Sequence, residues 1–142
     1  MTTAQLRELI AEIEALGDKP HTRELSDRVL LAIGWQKSTS LRGAETAPAV
    51  FWRSPDGSTA GWSIKCPDPL ANLQDATLTV PEGTTDILLK SQLIPAQRHD
   101  VVLWSPVEGG HAMYMATASN PARALSLTSL KAALAKREAE DG

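Results

Sequence analysis

The side chains with obvious reactivity in this 142-residue chain are three histidines, one cysteine and a scatter of carboxylates. His21, His99 and His111 could form a metal or acid–base site only if the fold gathered them. None has a second ligand-type residue at the i, i+4 spacing of a helical metal motif, and His21 has Glu24 at i+3 and Leu25 at i+4. Cys66 is alone, which excludes an intrachain disulfide and a cysteine-rich zinc site. Its sequence neighbours supply no base, so it reads as a small apolar residue in a reducing compartment. Asp56 and Asp68 could pair for general acid–base work, but turn chemistry explains the first and helix capping the second. The phosphate-binding, dinucleotide, nucleophile-elbow and zincin patterns do not occur, and Gly109-Gly110 is too far from a helix start to cradle a phosphate. The expectation is a chain without catalysis, metal or cofactor.

Recognition is the remaining chemistry. Four tryptophans stand against one tyrosine and one phenylalanine, and large aromatic side chains are favoured both in cores and at interfaces. Trp104 is the best binding candidate, because its strand face also carries Val102 and, with the next strand suitably registered, Met113 and Met115. Trp52 and Trp62 follow it as weaker binding candidates, with core packing the competing role for each. The net charge of -3 lacks the basic surplus that phosphate neutralisation demands, and Lys136-Arg137 reads as a solvated helix face, so no nucleic-acid partner is expected. The charged N-terminus, MTTAQLRELIAEIEALG, has no apolar signal region, and no segment approaches the roughly 20 apolar residues that cross a bilayer. We expect a soluble, cytoplasmic protein with no membrane partner.

The elements that must position these residues can be read from caps and periods. Thr2 with Gln5 has the form of a capping box, and Leu6, Leu9, Ile10, Ile13 and Leu16 recur at helical spacing, which predicts a helix from about Thr3 to Leu16. A second helix, from about Thr22 to Ile33, ends at Gly34, with Trp35 folding back on its last turn. Residues 36–48 are small and polar without a period and read as a loop. Val50 to Arg53 and Ser58 to Lys65 form a hairpin around the turn Ser54-Pro55-Asp56-Gly57. Asp68-Pro69 has the cap-plus-proline signal of a third helix that Pro81 and Gly83 end, with Leu70, Leu73, Thr77 and Val80 along one side.

Three strands follow, Thr85 to Leu93, Asp100 to Trp104 and His111 to Ala118, separated by a loop around Pro95 and a turn at Glu108-Gly109-Gly110. Their connections are too short for crossovers, so neighbours should pair antiparallel. Asn120-Pro121 opens a last helix with Ala124, Leu127, Leu130 and Leu134 inward; Glu138, Glu140 and Asp141 oppose its dipole, so residues 136–142 should fray. Both faces of the three strands are substantially apolar. Helices must cover both, as an α-β-α sandwich requires, or a partner must cover one. The fold class is therefore α/β (α+β): an antiparallel or mixed sheet with helices on one or both faces, in one domain over 1–142, with a core at 18–135.

The helix end Asp27-Arg28-Val29-Leu30-Leu31-Ala32-Ile33-Gly34-Trp35, the turn Ser54-Pro55-Asp56-Gly57, then Pro67-Asp68-Pro69, Val80-Pro81-Glu82-Gly83 and Ala116-Thr117-Ala118-Ser119-Asn120-Pro121-Ala122-Arg123-Ala124-Leu125 form an ordered set. In that order they resemble the small phage and prophage proteins grouped as the phage α-β-α sandwich domain, across roughly Leu25 to Leu134. Thr84 and Thr85 stand where many relatives carry an aromatic residue, and the helix over 1–17 looks like an addition. The resemblance implies a virus-derived accessory protein in a bacterial cytoplasm, and brings no activity, cofactor or catalytic residue. The expected function is binding, to a protein partner or by self-association. The alternative is a small-ligand binder, a nucleotide-signal sponge against host defence, resting on the resemblance, the tryptophans and two capped helix N-termini. The acidic net charge weighs against it.

Overall fold

The structure, a computed structural model, describes residues 1–40, 49–55, 60–62, 67–93 and 97–141, with the backbone alone at 38–40, 49–51 and 60–62. The first two helices are α1 (Thr3–Ala15) and α2 (Arg23–Ala32). Thr2 Oγ1 accepts from Gln5 N while Gln5 Oε1 accepts from Thr2 N, a complete capping box. Thr22 caps α2 through Leu25 N. At its end Gly34 takes φ +95°, so that Gly34 N and Trp35 N reach back to the carbonyls of Leu31 and Leu30.

Residues 36–40, expected as loop, form β1 (Gln36–Ser40), which pairs antiparallel with β2 (Ala49–Arg53); β3 (Ala60–Trp62) pairs on the other side of β2. The polar run Gln-Lys-Ser-Thr-Ser has no strand period of its own, and pairing with β2 supplies the order that its side chains do not. The rest of that loop, Asp56-Gly57 of the turn, Ser63 to Cys66 of the returning strand and the loop at Pro95 lie outside the described residues.

The third helix begins four residues later than its cap signal implies. Asp68 heads a single turn, its carbonyl accepting from Ala71 N and Asn72 N, and Asn72 then caps the short α3 (Leu73–Ala76), which runs into a 3₁₀ turn at Thr77–Thr79. The Asp68 carboxylate is drawn to α2, as described below. Leu70, Ala76 and Thr79 are buried, whereas Leu73 is exposed.

A second sheet holds β4 (Asp86–Gln92), β5 (Arg98–Val107) and β6 (Gly110–Ala118) in that order, antiparallel throughout. The closing helix α4 (Pro121–Asp141), capped by Asn120 through Arg123 N, packs on β5 and β6. Its residues 122–130 are all buried, because β5 and β6, α1 and the segment from Pro69 through α3 all pack on it. Leu127 and Leu130 meet Leu6, Leu9, Ile10 and Ile13 of α1 in the largest core cluster, so α1 contributes directly to the core. Arg123 donates to the carbonyls of Gly17 (2.7 Å) and Lys19 (3.0 Å), fastening the α1–α2 connection to the start of α4. Burial pushes the Arg123 pKa down from its ordinary value, against the opposing pull of Asp18. α4 is helical to Asp141. Arg7 pairs with Glu138, Thr3 Oγ1 donates to Asp141, and Arg137 donates to the Met1 carbonyl, so α1 holds the end that the dipole disfavours.

Candidate functional site

Strand register sorts the second sheet into two faces. Val101, Leu103 and Ala116 point to α4 and are buried. The opposite face carries two adjacent cross-strand rows, Leu88–Val102–Met115 and Asp86–Trp104–Met113. No helix lies over them among the described residues: Leu88 is 54% exposed, Met113 58% and Met115 53%. Val102 and Trp104 are half-buried by their neighbours in the sheet. Trp104, Met113 and Met115 are therefore brought together. Beside them a shallow hollow of about 490 Å³ is lined by Thr85, Asp86, Ile87, Leu88, Trp104 and His111.

A polar row, Lys90–Asp100–Thr117, borders the patch at one end. Thr117 Oγ1 and Arg98 Nε (3.2 Å) donate to Asp100, and these bonds hold its carboxyl below the usual range, so the border stays charged at neutral pH. The surface is thus an apolar centre beside an ionised, hydrogen-bonded rim.

The other two tryptophans are not part of it. Trp52 is fully buried with Leu30 and Trp35, and Lys37 Nζ sits 5.8 Å from its ring centroid. As a binding residue it is corrected to core: its side of β2 closes on the last turn of α2. Trp62 lies on β3 opposite Phe51, in the first sheet, and its side chain is outside the described residues.

The three histidines are dispersed. His99 is buried, with Nδ1 2.7 Å from Ser91 Oγ; His111 is exposed on β6; His21 contacts Asp68, its Nε2 lying 3.0 and 3.1 Å from the two carboxylate oxygens. Ser26 Oγ also donates to Asp68, a grouping that the sequence reading missed because its members are 42 and 47 residues apart. Aspartate, histidine and serine together suggest a nucleophile, but the connectivity is wrong for one. A triad needs the histidine between the other two; here the carboxylate sits in the middle and receives both. Burial raises the Asp68 pKa, yet the hydrogen bonds from Ser26 and His21 and the positive charge of His21 and Arg23 outweigh it and hold the group below its ordinary value. The grouping clasps α2 to the 67–72 turn. Among the described residues no set of three His, Cys, Asp or Glu side chains could hold a metal ion, and no helix is long and apolar enough to cross a membrane.

A larger groove of about 880 Å³ runs between the C-terminal half of α4, Val80-Pro81 and Pro106, with Tyr114 in its wall. Its charged lining is Glu82, Glu108 and Glu140 against Lys136 and Arg137, an acidic balance unsuited to an anion. No protein-family model, curated protein or solved structure matches the chain.

Proposed function

We propose that this chain is a non-catalytic accessory protein, of the phage or prophage kind that its motif order resembles, which acts by binding a protein partner through the open face of β4, β5 and β6. The observation that carries the reading is the contiguous row pair Leu88, Val102, Trp104, Met113 and Met115 on a sheet face that no helix among the described residues covers. Exposed apolar patches with polar rims mark interaction surfaces on soluble proteins, and methionine beside tryptophan gives such a surface an adaptable contact area with one rigid anchor. The acidic groove speaks against a nucleotide ligand, as does the lack of convergent basic groups among the described residues. The connectivity of the Asp68 grouping speaks against a serine nucleophile at that place.

The test is Trp104→Glu combined with Met115→Glu. Both side chains project from the face opposite the core, so melting should be nearly unchanged while self-association or capture of a bacterial partner falls at least tenfold, the effect of losing a hot-spot anchor. Association of undiminished strength in the double variant would sink the reading. So would stabilisation of the wild-type protein by any member of a nucleotide panel in thermal shift, which would favour the small-ligand alternative.

A further inference from the structure

β4 is an edge strand of the second sheet, and all seven of its residues are exposed. On the α4 side Ile87 remains 45% exposed and Leu89 39%, because α4 lies over β5 and β6; on the open side Leu88 is bare. Natural edge strands are kept from pairing with another chain by shortening, a bulge, a proline or charged side chains, lysine above all. Asp86-Ile87-Leu88-Leu89-Lys90-Ser91-Gln92 is seven residues long, continuous in register and free of proline, and its two charges, Asp86 and Lys90, are opposite in sign.

We infer that β4 pairs with β4 of a second copy of this chain, antiparallel about a two-fold axis at Leu88, to join two three-stranded sheets into one of six strands. The inference builds on the reading of this sheet as a recognition element. Its own support is the self-complementarity of the strand. An axis at Leu88 sets Leu88 against Leu88 of the second copy, Ile87 against Leu89, and Asp86 against Lys90, with the last two pairs each occurring twice. A two-fold axis normal to the sheet keeps the faces aligned, so the charges meet on the open side and the Ile–Leu pairs on the α4 side. Moving the axis to Leu89 sets Leu88 against Lys90, and moving it to Ile87 sets Asp86 against Leu88. Only the Leu88 register matches apolar with apolar and acid with base. Neither the Asp86 nor the Lys90 side chain makes a hydrogen bond or ion pair with a described residue, although Lys90 does act electrostatically on Asp100. The other edge, β6, is less available: α4 packs on it, and Lys131 Nζ lies 3.5 Å from the Met115 carbonyl.

Sedimentation equilibrium of the full chain, beside Asp86→Lys, Lys90→Asp and the double swap, tests the pairing. Each single swap places like charges across both symmetry-related pairs and should raise the dimer dissociation constant about tenfold; the double swap restores both pairs and should return it to within about threefold of wild type. Thermal melts of all four confirm that these exposed changes leave the fold intact. A wild-type protein that stays monomeric at about millimolar concentration overturns the inference, as does a dimer indifferent to the single swaps or a double swap no tighter than they are. Trp104→Glu separates the two proposals: a dimer broken by it and indifferent to the swaps refutes edge pairing and leaves the face reading standing.

Discussion

Asp68→Ala removes the clasp between α2 and the 67–72 turn. The carboxylate accepts from Ser26 Oγ, from His21 Nε2 and, at 3.3 Å, from Leu70 N. Hydrogen bonds to a charged group contribute about 1.5–3 kcal/mol each. The Asp68 side chain is 30% exposed, so solvent takes part of that, while Ser26 is fully buried and would be left without an acceptor. A loss of about 2–3 kcal/mol follows, or a fall in Tm of roughly 6–10 °C for a chain of this size. Asp68→Asn keeps one oxygen for Ser26 and should cost about half as much.

The pH dependence has a definite sign. The folded pKa of Asp68 lies below its ordinary 3.8, so the stabilisation is complete above that value and is lost as pH falls through the lower folded value. Urea unfolding of both proteins should therefore give a gap between them that is full near pH 7 and narrows between about pH 4 and pH 2. A gap under about 0.5 kcal/mol at neutral pH, within the range of an ordinary surface change, or one that persists undiminished near pH 2, would refute the clasp.

Two further changes probe the frame. Deleting residues 1–17 removes Leu6, Leu9, Ile10 and Ile13, all buried against α4 or its neighbours; at about 1.5–3 kcal/mol apiece this is comparable to the whole stability of a domain, so the truncated chain should show no cooperative unfolding by circular dichroism. A folded truncation that merely gains dye binding would mean that α1 covers the open sheet face, contrary to its packing on α4. Gly34→Ala places a side chain at φ +95°, with its Cβ 3.3 Å from Pro55 Cγ, whereas Gly17→Ala at φ +56° meets nothing; chemical denaturation should find about 2 kcal/mol lost in the first and about 1 kcal/mol in the second, and equal losses would remove the role assigned to Pro55.

Local signals read well from this sequence and distant ones did not. The Thr2–Gln5 box, the Gly34-Trp35 stop and the Asn120 cap depend on residues within five positions of one another, and each takes its expected form. The facing of the last three strands was legible because alternation is a property of single strands. What failed depended on long-range partners. Asp68 looks like a helix cap until His21 and Ser26 claim its oxygens; Gln36–Ser40 looks like a loop until β2 lies beside it; the acidic end of α4 looks frayed until α1 brings Arg7 to Glu138. Trp52 and Trp104 are equivalent as residue types and as strand positions. They part only because α2 closes over one and nothing among the described residues closes over the other.

The open face follows from how α4 is used. Ala122, Ala124, Ser126, Thr128 and Ser129 give this helix small surfaces around its circumference, and Ser126 and Thr128 turn their hydroxyls to the carbonyls of Pro69 (2.6 Å) and Ala124 (2.8 Å). A helix of that kind can be buried on more than one side with those two hydroxyls satisfied, although the buried Ser129 Oγ has no partner among the described residues. It packs on β5 and β6 and also receives α1, while neither α1 nor α2 makes comparable contact with the second sheet. A sandwich would need one of them on the far side, yet α1 is held at both ends, by Arg123 at its C-terminal connection and by the Arg7–Glu138 pair near its start. With α2 tied to α1 by Arg28 and Glu12 and to the 67–72 turn by Asp68, no helix among the described residues is free to move across. The apolar row of Trp104 thus has no cover within the described chain, which is the physical reason to look for its cover in a partner.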